Sequence, residues 1–427
     1  MRRVIVLGGG FSGLLAAWRL HQRGFEVQVW EASDAPGGWA RTLPWPGLRG
    51  EPGFLELGPQ SLRVARGGAL DRLLAELGLD LRGSGPKGPR WLGKGGKRHP
   101  SPASLTGLIR TPDLGWMEKL RLLAEPFVSR APGSEDLRAF FARRLGEGFA
   151  RELLPALVAG VFAAPPERIG METLPRLKAL EARGGLLIGG LRAGPEWTRV
   201  PAGGVGAVTA ALAARLDVRL DRTATSLAPL PGGGWRVESA EASEEADAVV
   251  LALPGGPAAV LLRAAAPEAA GLLEAIPRLD LRVWHSRHPL WPGWERGFGL
   301  LIHPPEGGGL LGAVSFAIGD PRGVPGLMQV RTYLGGAYPV ASALDAWPGV
   351  LAALRRWLPE LPEAVQVREE PCPGAFPLLE PGHGARGARI LGALPPGLHW
   401  LGPARFGPGL PDLAEGVEAW AAGLTSG

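Results

Sequence analysis

The sequence predicts an α/β fold built on a doubly wound, Rossmann-like parallel sheet. Three observations carry this. An apolar run at residues 4–7 is followed at once by Gly8, Gly10 and Gly13 in the spacing G-x-G-x-x-G. Leu14, Leu15, Trp18 and Leu20 then fall on one helical face. A second strand-like run, residues 26–30, ends on an acid, Glu31. Strand, glycine turn, helix, strand and terminal acid, in that order, form a dinucleotide-binding unit.

Each residue type has a task. Gly8 permits the tight turn, Gly10 lets a pyrophosphate approach the backbone, and Gly13 lets helix pack on strand. Phe11 and Ser12 open the helix, where free N–H groups and the positive dipole end meet phosphates. Glu31, with Ala32 beside it, accepts hydrogen bonds from a ribose hydroxyl.

At 427 residues the chain is expected to hold two or three domains and a large core. Its net charge of +5 is scattered with no long basic run, which excludes nucleic acid as a partner. A single cysteine, Cys372, excludes an internal disulfide and a cysteine metal cluster, and suits a reducing compartment. The seven histidines show no ligand spacing, so no metal is expected. The chain starts almost at once in a core strand, so no targeting segment is expected. Uncharged stretches such as 248–262 and 153–166 are too short to span a bilayer. The expected location is the cytoplasm, with peripheral attachment to the inner face of the cell membrane left open. The sequence has no Asn and 43 Pro, a bias that fits a heat-adapted source and equally GC-rich coding.

Further along, 68–79 reads as a helix. A basic, glycine-rich connection at 83–102 carries a hairpin around Arg90-Trp91-Leu92, and 114–180 reads as proline-broken helices. A helix at 205–216 precedes strands at 217–220, 224–229, 235–238 and 247–253. Strands at 281–285, 299–302, 310–316 and 328–334 follow, then a helix at 341–358, a buried strand at 398–402 and a closing helix at 411–424. The chain is thus expected to leave its nucleotide domain and return to it twice.

Residues 35–42 carry Gly37, Gly38, Trp39 and Arg41, which resemble the GG-x-x-R-[ST] motif of the flavin amine oxidase superfamily. The bare spacing recurs at 83–88, 307–312 and 382–387, but no second complete unit of strand, glycine turn, helix, strand and terminal acid is read, which points away from a nicotinamide-fed reductase and toward an oxidase. Residues 56–63, with Leu57, Gly58 and Pro59, resemble the ELGPRSxR segment of protoporphyrinogen oxidases. Residues 157–164, Leu174-Pro175 and Leu180-Glu181 resemble a second family segment. Gly402, Gly407, Asp412, Glu415 and Gly416 resemble the closing FAD motif. Along essentially its whole length the chain is similar to the oxygen-dependent protoporphyrinogen/coproporphyrinogen oxidase family. It departs from the pattern at Ala164, Pro408-Gly409 and Leu413.

The resemblance implies non-covalent FAD and three parts. These are an FAD-binding domain (1–80, 199–265, 395–427), a discontinuous β-rich, α+β substrate domain (81–100, 171–198, 266–394) and a helical, membrane-facing domain (101–170). It implies that Leu410 and Pro411, at the N-terminus of the closing helix, face the flavin, and that Ala224 touches adenine. The implied reaction takes protoporphyrinogen IX, or alternatively coproporphyrinogen III, to the porphyrin in haem biosynthesis, with O2 as acceptor and H2O2 released. FAD carries the chemistry, so no acid–base residue is assigned as catalytic; Gly160 is placed at the flavin side of the ring. Arg90 is expected to hold a propionate, and Phe298, Leu301 and Tyr333 to clamp the macrocycle. Implied partners are the porphyrinogen, O2, and a membrane surface or ferrochelatase-type protein; a homodimer stays open. Two other readings also stay open: an oxidase of amines or carotenoids, and a flavin-binding porphyrin carrier without turnover.

Overall fold

A computed structural model describes residues 2–83, 87–102, 105–130, 135–192, 196–316 and 319–424. The strands Asp217–Arg219, Glu26–Trp30, Arg3–Leu7, Ala248–Leu251 and Leu398–Trp400 form one sheet in that spatial order. Every pairing in it is parallel. The central strand is apolar because both its faces are covered: Val4 and Val6 join one core, Ile5 and Leu7 the other. Helix Phe11–Gln22 and the closing helix Leu410–Ala422 cover the first face. Helices Gly255–Leu262 and Pro267–Glu274 cover the second. The strand order reverses at Arg3–Leu7, so the crevice beyond its carboxyl end is the natural ligand position.

A second sheet has seven strands, in the order Gln366–Pro377, Arg278–Pro289, Leu327–Gly335, Leu310–Ser315, Phe298–Ile302, Arg90–Lys94 and Lys97–Pro100. The last two form the expected hairpin, turning at Gly95 and Gly96, both with positive φ. The Gln366–Pro377 strand was not expected. Its sequence holds Arg368, Glu369, Glu370, Pro371 and Pro373, which argues against a strand. It is an edge strand, where one side needs no ladder donors and proline is tolerated. Arg278–Pro289 also runs longer than the expected 281–285 because its charged positions are satisfied by neighbours.

The seven-stranded sheet holds the segment 45–60 with buried arginines. Arg287 donates to the Pro46 carbonyl at 2.9 Å, and its guanidinium lies 3.9 Å from the Trp45 ring centre. Arg331 donates to the carbonyls of Leu57 and Gly58, each at 2.7 Å. Gln329 reaches the Phe54 carbonyl at 3.2 Å. Three sheet residues thus satisfy carbonyls of an irregular segment that would otherwise be buried unpaired.

The expected helical stretch is present as short helices broken at prolines, among them Trp116–Leu123, Leu137–Leu145 and Leu154–Phe162. Their core includes Phe140, Leu153, Leu154 and Ala156. A buried pair, Arg144 with Glu125, ties them together, and Glu125 also accepts from the N–H groups of Leu186 (2.7 Å) and Leu187 (3.1 Å).

Candidate functional site

A large cavity of about 2800 Å³ lies between the carboxyl ends of the parallel sheet, the seven-stranded sheet and the short helices. One end has the architecture of a dinucleotide cradle. Gly13 is packed so closely that a Cβ there would lie 1.9 Å from the Gly8 carbonyl oxygen. Gly13 therefore stands behind the wall, locking helix to strand. Over Gly10, by contrast, a Cβ would meet nothing within 4 Å. The backbone there faces open cavity, and no side chain caps the helix that starts at Phe11. Free N–H groups and the positive dipole end therefore face the space where a pyrophosphate would lie.

The second glycine segment completes this end. Gly37 donates from its N–H to the Gly9 carbonyl at 2.7 Å, and Gly38 packs against Gly10. Both have positive φ, 119° and 55°. Trp39 and Arg41 follow on the wall. Glu31 is fixed by the N–H of Gly9 (2.7 Å) and by the N–H and hydroxyl of Ser33 (2.9 and 2.6 Å). Carboxylate oxygens accept more than one bond, so Glu31 stays able to take a ribose hydroxyl. Ala32 and Ala224 line the same end.

Further along, Leu57, Gly58, Pro59, Gly402, Gly407, Leu410 and Pro411 line the wall. Gly402, at φ 126°, also faces open space. The closing helix has Gly409 as its N-cap with no side-chain cap, so its N-terminus opens onto the cavity. Asp412 in its first turn pairs with Arg176 at 3.0 Å. Burial pushes the Asp412 carboxyl up, and Arg176 opposes the shift. The two glycine segments, Glu31 and the helix N-terminus form a continuous track that fits FAD.

The expected substrate residues divide sharply. Tyr333 lines the cavity, with the Arg331 guanidinium 5.0 Å from its ring centre. Gly160 also lines it, and its lack of a side chain has a packing cause: a Cβ would lie 2.2 Å from Leu301 Cδ2. Leu301 is on the cavity-facing side of the sheet but behind Gly160, outside the wall. Phe298 is on the opposite face, fully buried against Trp294 (4.8 Å) and Trp91 (6.0 Å). In a strand, residues three apart point to opposite faces, so Phe298 and Leu301 cannot clamp one ring. Arg90 is exposed and off the wall, because its hairpin sits at the far edge of the seven-stranded sheet from Tyr333.

Sequence reasoning missed the wall residues Leu281, Val283, Leu311, Phe376, Arg278 and Arg331. One signal was present. Arg331 stands with Gln329 and Thr332 in a mostly apolar strand, and an arginine at a core position needs a specific partner. Among the described residues no group of three or more His, Cys, Asp or Glu could hold a metal ion.

Residues 11–408 match the family model described as flavin containing amine oxidoreductase. The chain is 32% identical to protoporphyrinogen oxidase of Homo sapiens over 383 residues, covering 79% of this chain and 78% of that protein. It is 28% identical to coproporphyrinogen III oxidase of Mycobacterium leprae, covering 96% and 95%. Among solved structures, a protein assigned as a protoporphyrinogen oxidase from Exiguobacterium sp. superposes with a TM-score of 0.81 at 21% identity, covering 99% of both chains. Putrescine oxidase bound to putrescine superposes at 0.72 and 19%, covering 99% and 98%. These likenesses establish a shared fold; the family model names a flavin, and the glycine track fits it as FAD. The chain belongs to the flavin-containing amine oxidoreductase family, in the company of its protoporphyrinogen and coproporphyrinogen oxidases.

Proposed function

We propose that the protein oxidises protoporphyrinogen IX to protoporphyrin IX in haem biosynthesis, passing electrons to O2 and releasing H2O2. The observation that carries this reading is the cavity itself. Its volume of about 2800 Å³ exceeds the roughly 300–1,000 Å³ of an ordinary small-molecule site, leaving room for a large ligand beside FAD. The wall beyond the cradle is mostly apolar: Leu281, Val283, Leu311, Tyr333 and Phe376. Bound FAD supplies the hydride acceptor. The chain's own residues bind and orient: the apolar wall excludes water, and the Tyr333 ring offers a flat surface to a flat macrocycle. Three bridging carbons each lose a hydride; of the three accompanying protons, two leave pyrrole nitrogens and one leaves the fourth bridging carbon. Aromaticity drives the sequence, so the walls need no strong base. Three O2 are consumed and three H2O2 formed per porphyrin.

The relatives' names support a porphyrinogen as substrate. A second reading, coproporphyrinogen III, is favoured by the near-complete coverage of the M. leprae relative. In either reading the segments 1–80, 199–265 and 395–427 form the FAD-binding part, 81–100, 171–198 and 266–394 form the part whose sheet walls the substrate, and 101–170 faces a membrane. The last assignment is supported by an exposed apolar face: Trp116 (70%), Met117, Leu120, Leu123 and Phe127 (90%). Among the described residues no helix is long and apolar enough to cross a membrane, so attachment would be peripheral.

The test is stoichiometric. The FAD-loaded protein, given each porphyrinogen aerobically, should release peroxide and porphyrin in a ratio near three to one. Peroxide from putrescine, with none from either porphyrinogen, would overturn the proposal.

A further inference from the structure

A substrate of the proposed class carries two or four carboxylates, yet Arg90 is off the cavity wall. Another arginine is better placed. Arg278 opens the Arg278–Pro289 strand, lines the cavity and is solvent-exposed, so it stands at the mouth. Val260, on the same wall, is 59% exposed and makes that rim apolar.

The guanidinium is held in a built seat. Its Nε and Nη2 donate to the Gly374 carbonyl at 3.1 and 2.9 Å. Gly374 has φ 53°, and a Cβ there would lie 2.6 Å from Arg278 Cζ and 2.5 Å from Nη2. Glycine therefore serves two needs at this turn, the backbone conformation and the room for a guanidinium laid against it. Asp280 accepts the Gly374 N–H at 2.5 Å and fixes the turn.

With one edge of the fork pinned, Nη1 is left toward Gly256, 3.8 Å from where that residue's Cβ would be. Three other arginines of the cavity wall are ion-paired: Arg63 with Glu196, Arg176 with Asp412 and Arg222 with Glu244. Among the described residues no carboxylate stands within ion-pair distance of Arg278. A guanidinium already fixed in place loses little freedom when it binds a carboxylate.

We propose that Arg278 binds a peripheral carboxylate of the porphyrinogen at the cavity mouth while the apolar macrocycle lies inside. This rests on the porphyrinogen reading above and names the residue that orients the ring. The experiment uses the stable, fluorescent products as probes. Binding of coproporphyrin III, protoporphyrin IX and coproporphyrin tetramethyl ester is measured on the FAD-loaded wild type, Arg278→Ala and Arg278→Lys, with melting curves to confirm folding.

Arg278→Ala should weaken both free acids by about tenfold, the size of one charge-assisted hydrogen bond, and leave the ester unchanged. Arg278→Lys should recover part of the loss. With porphyrinogen, Arg278→Ala should raise KM with little change in kcat. Free-acid affinities equal to wild type, or an equal loss for acid and ester, would sink the role of Arg278. Flavin bleaching by porphyrinogen in the wild type would then leave the functional reading standing. A wild type that binds no porphyrin and is bleached by neither porphyrinogen would overturn both.

Discussion

Glu56 is 1% exposed and accepts hydrogen bonds from the Thr42 hydroxyl (2.7 Å) and the Val205 N–H (2.8 Å). Burial nevertheless pushes its carboxyl up to about 7, with Thr42, Val205 and the more distant arginines 322 and 331 opposing the shift. The folded-state value lies above the unfolded one, so the folded protein holds the extra proton. Stability is therefore fully present below about 4.5 and falls as pH rises through about 7, by about 3 kcal/mol in all. Glu56→Gln should flatten the pH dependence of Tm across this window, and an unchanged slope would contradict the assignment. The glycines separate in the same way. Gly10→Ala has room in the fold, so the apoprotein should keep its Tm while the purified protein loses its yellow colour. Gly13→Ala meets the Gly8 carbonyl and should lose both Tm and FAD. The G-x-G-x-x-G spacing made this track legible in advance, because each glycine answers a backbone demand that shows in sequence. The partners of Arg278 and Arg331 were not legible, since they lie 96 and more than 270 positions away.

At the level of elements, period-two alternation decides what a strand can present. Phe298, Leu300 and Ile302 face one core, while Leu301 faces the other. A sequence motif read as a row of letters placed Phe298 and Leu301 together; the pleat separates them. Phe298→Ala should therefore destabilise the fold by about 3–5 kcal/mol without changing porphyrin affinity at a temperature where the variant is folded. Tyr333→Ala should do the reverse, weakening porphyrin binding with a smaller effect on Tm. Both are read from one set of melting curves and fluorescence titrations. Elements with a strong local signal, such as Arg3–Leu7, Phe11–Gln22 and Leu410–Ala422, were readable because turn chemistry and periodicity agree there. The Gln366–Pro377 strand was hidden because tertiary pairing at a sheet edge overrode its prolines.

Across the whole molecule, two sheets face a shared cavity, and the arginine-held segment 45–60 joins them. The parallel sheet supplies the cofactor track and the seven-stranded sheet the apolar wall. The short helices present Trp116, Leu120 and Phe127 outward. Replacing these three by serine should abolish co-sedimentation with anionic liposomes while leaving Tm within about 1 °C, because each side chain is already half or more exposed. Sedimentation equal to wild type would remove the membrane assignment. The central claim is that this cavity delivers a porphyrinogen to FAD. Mixing the FAD-loaded protein anaerobically with protoporphyrinogen IX or coproporphyrinogen III, and following flavin absorbance, tests it most directly. The account predicts rapid bleaching by at least one of them, with the colour returning on admission of air. Flavin that stays oxidised with both porphyrinogens, yet is bleached by an amine, would contradict it.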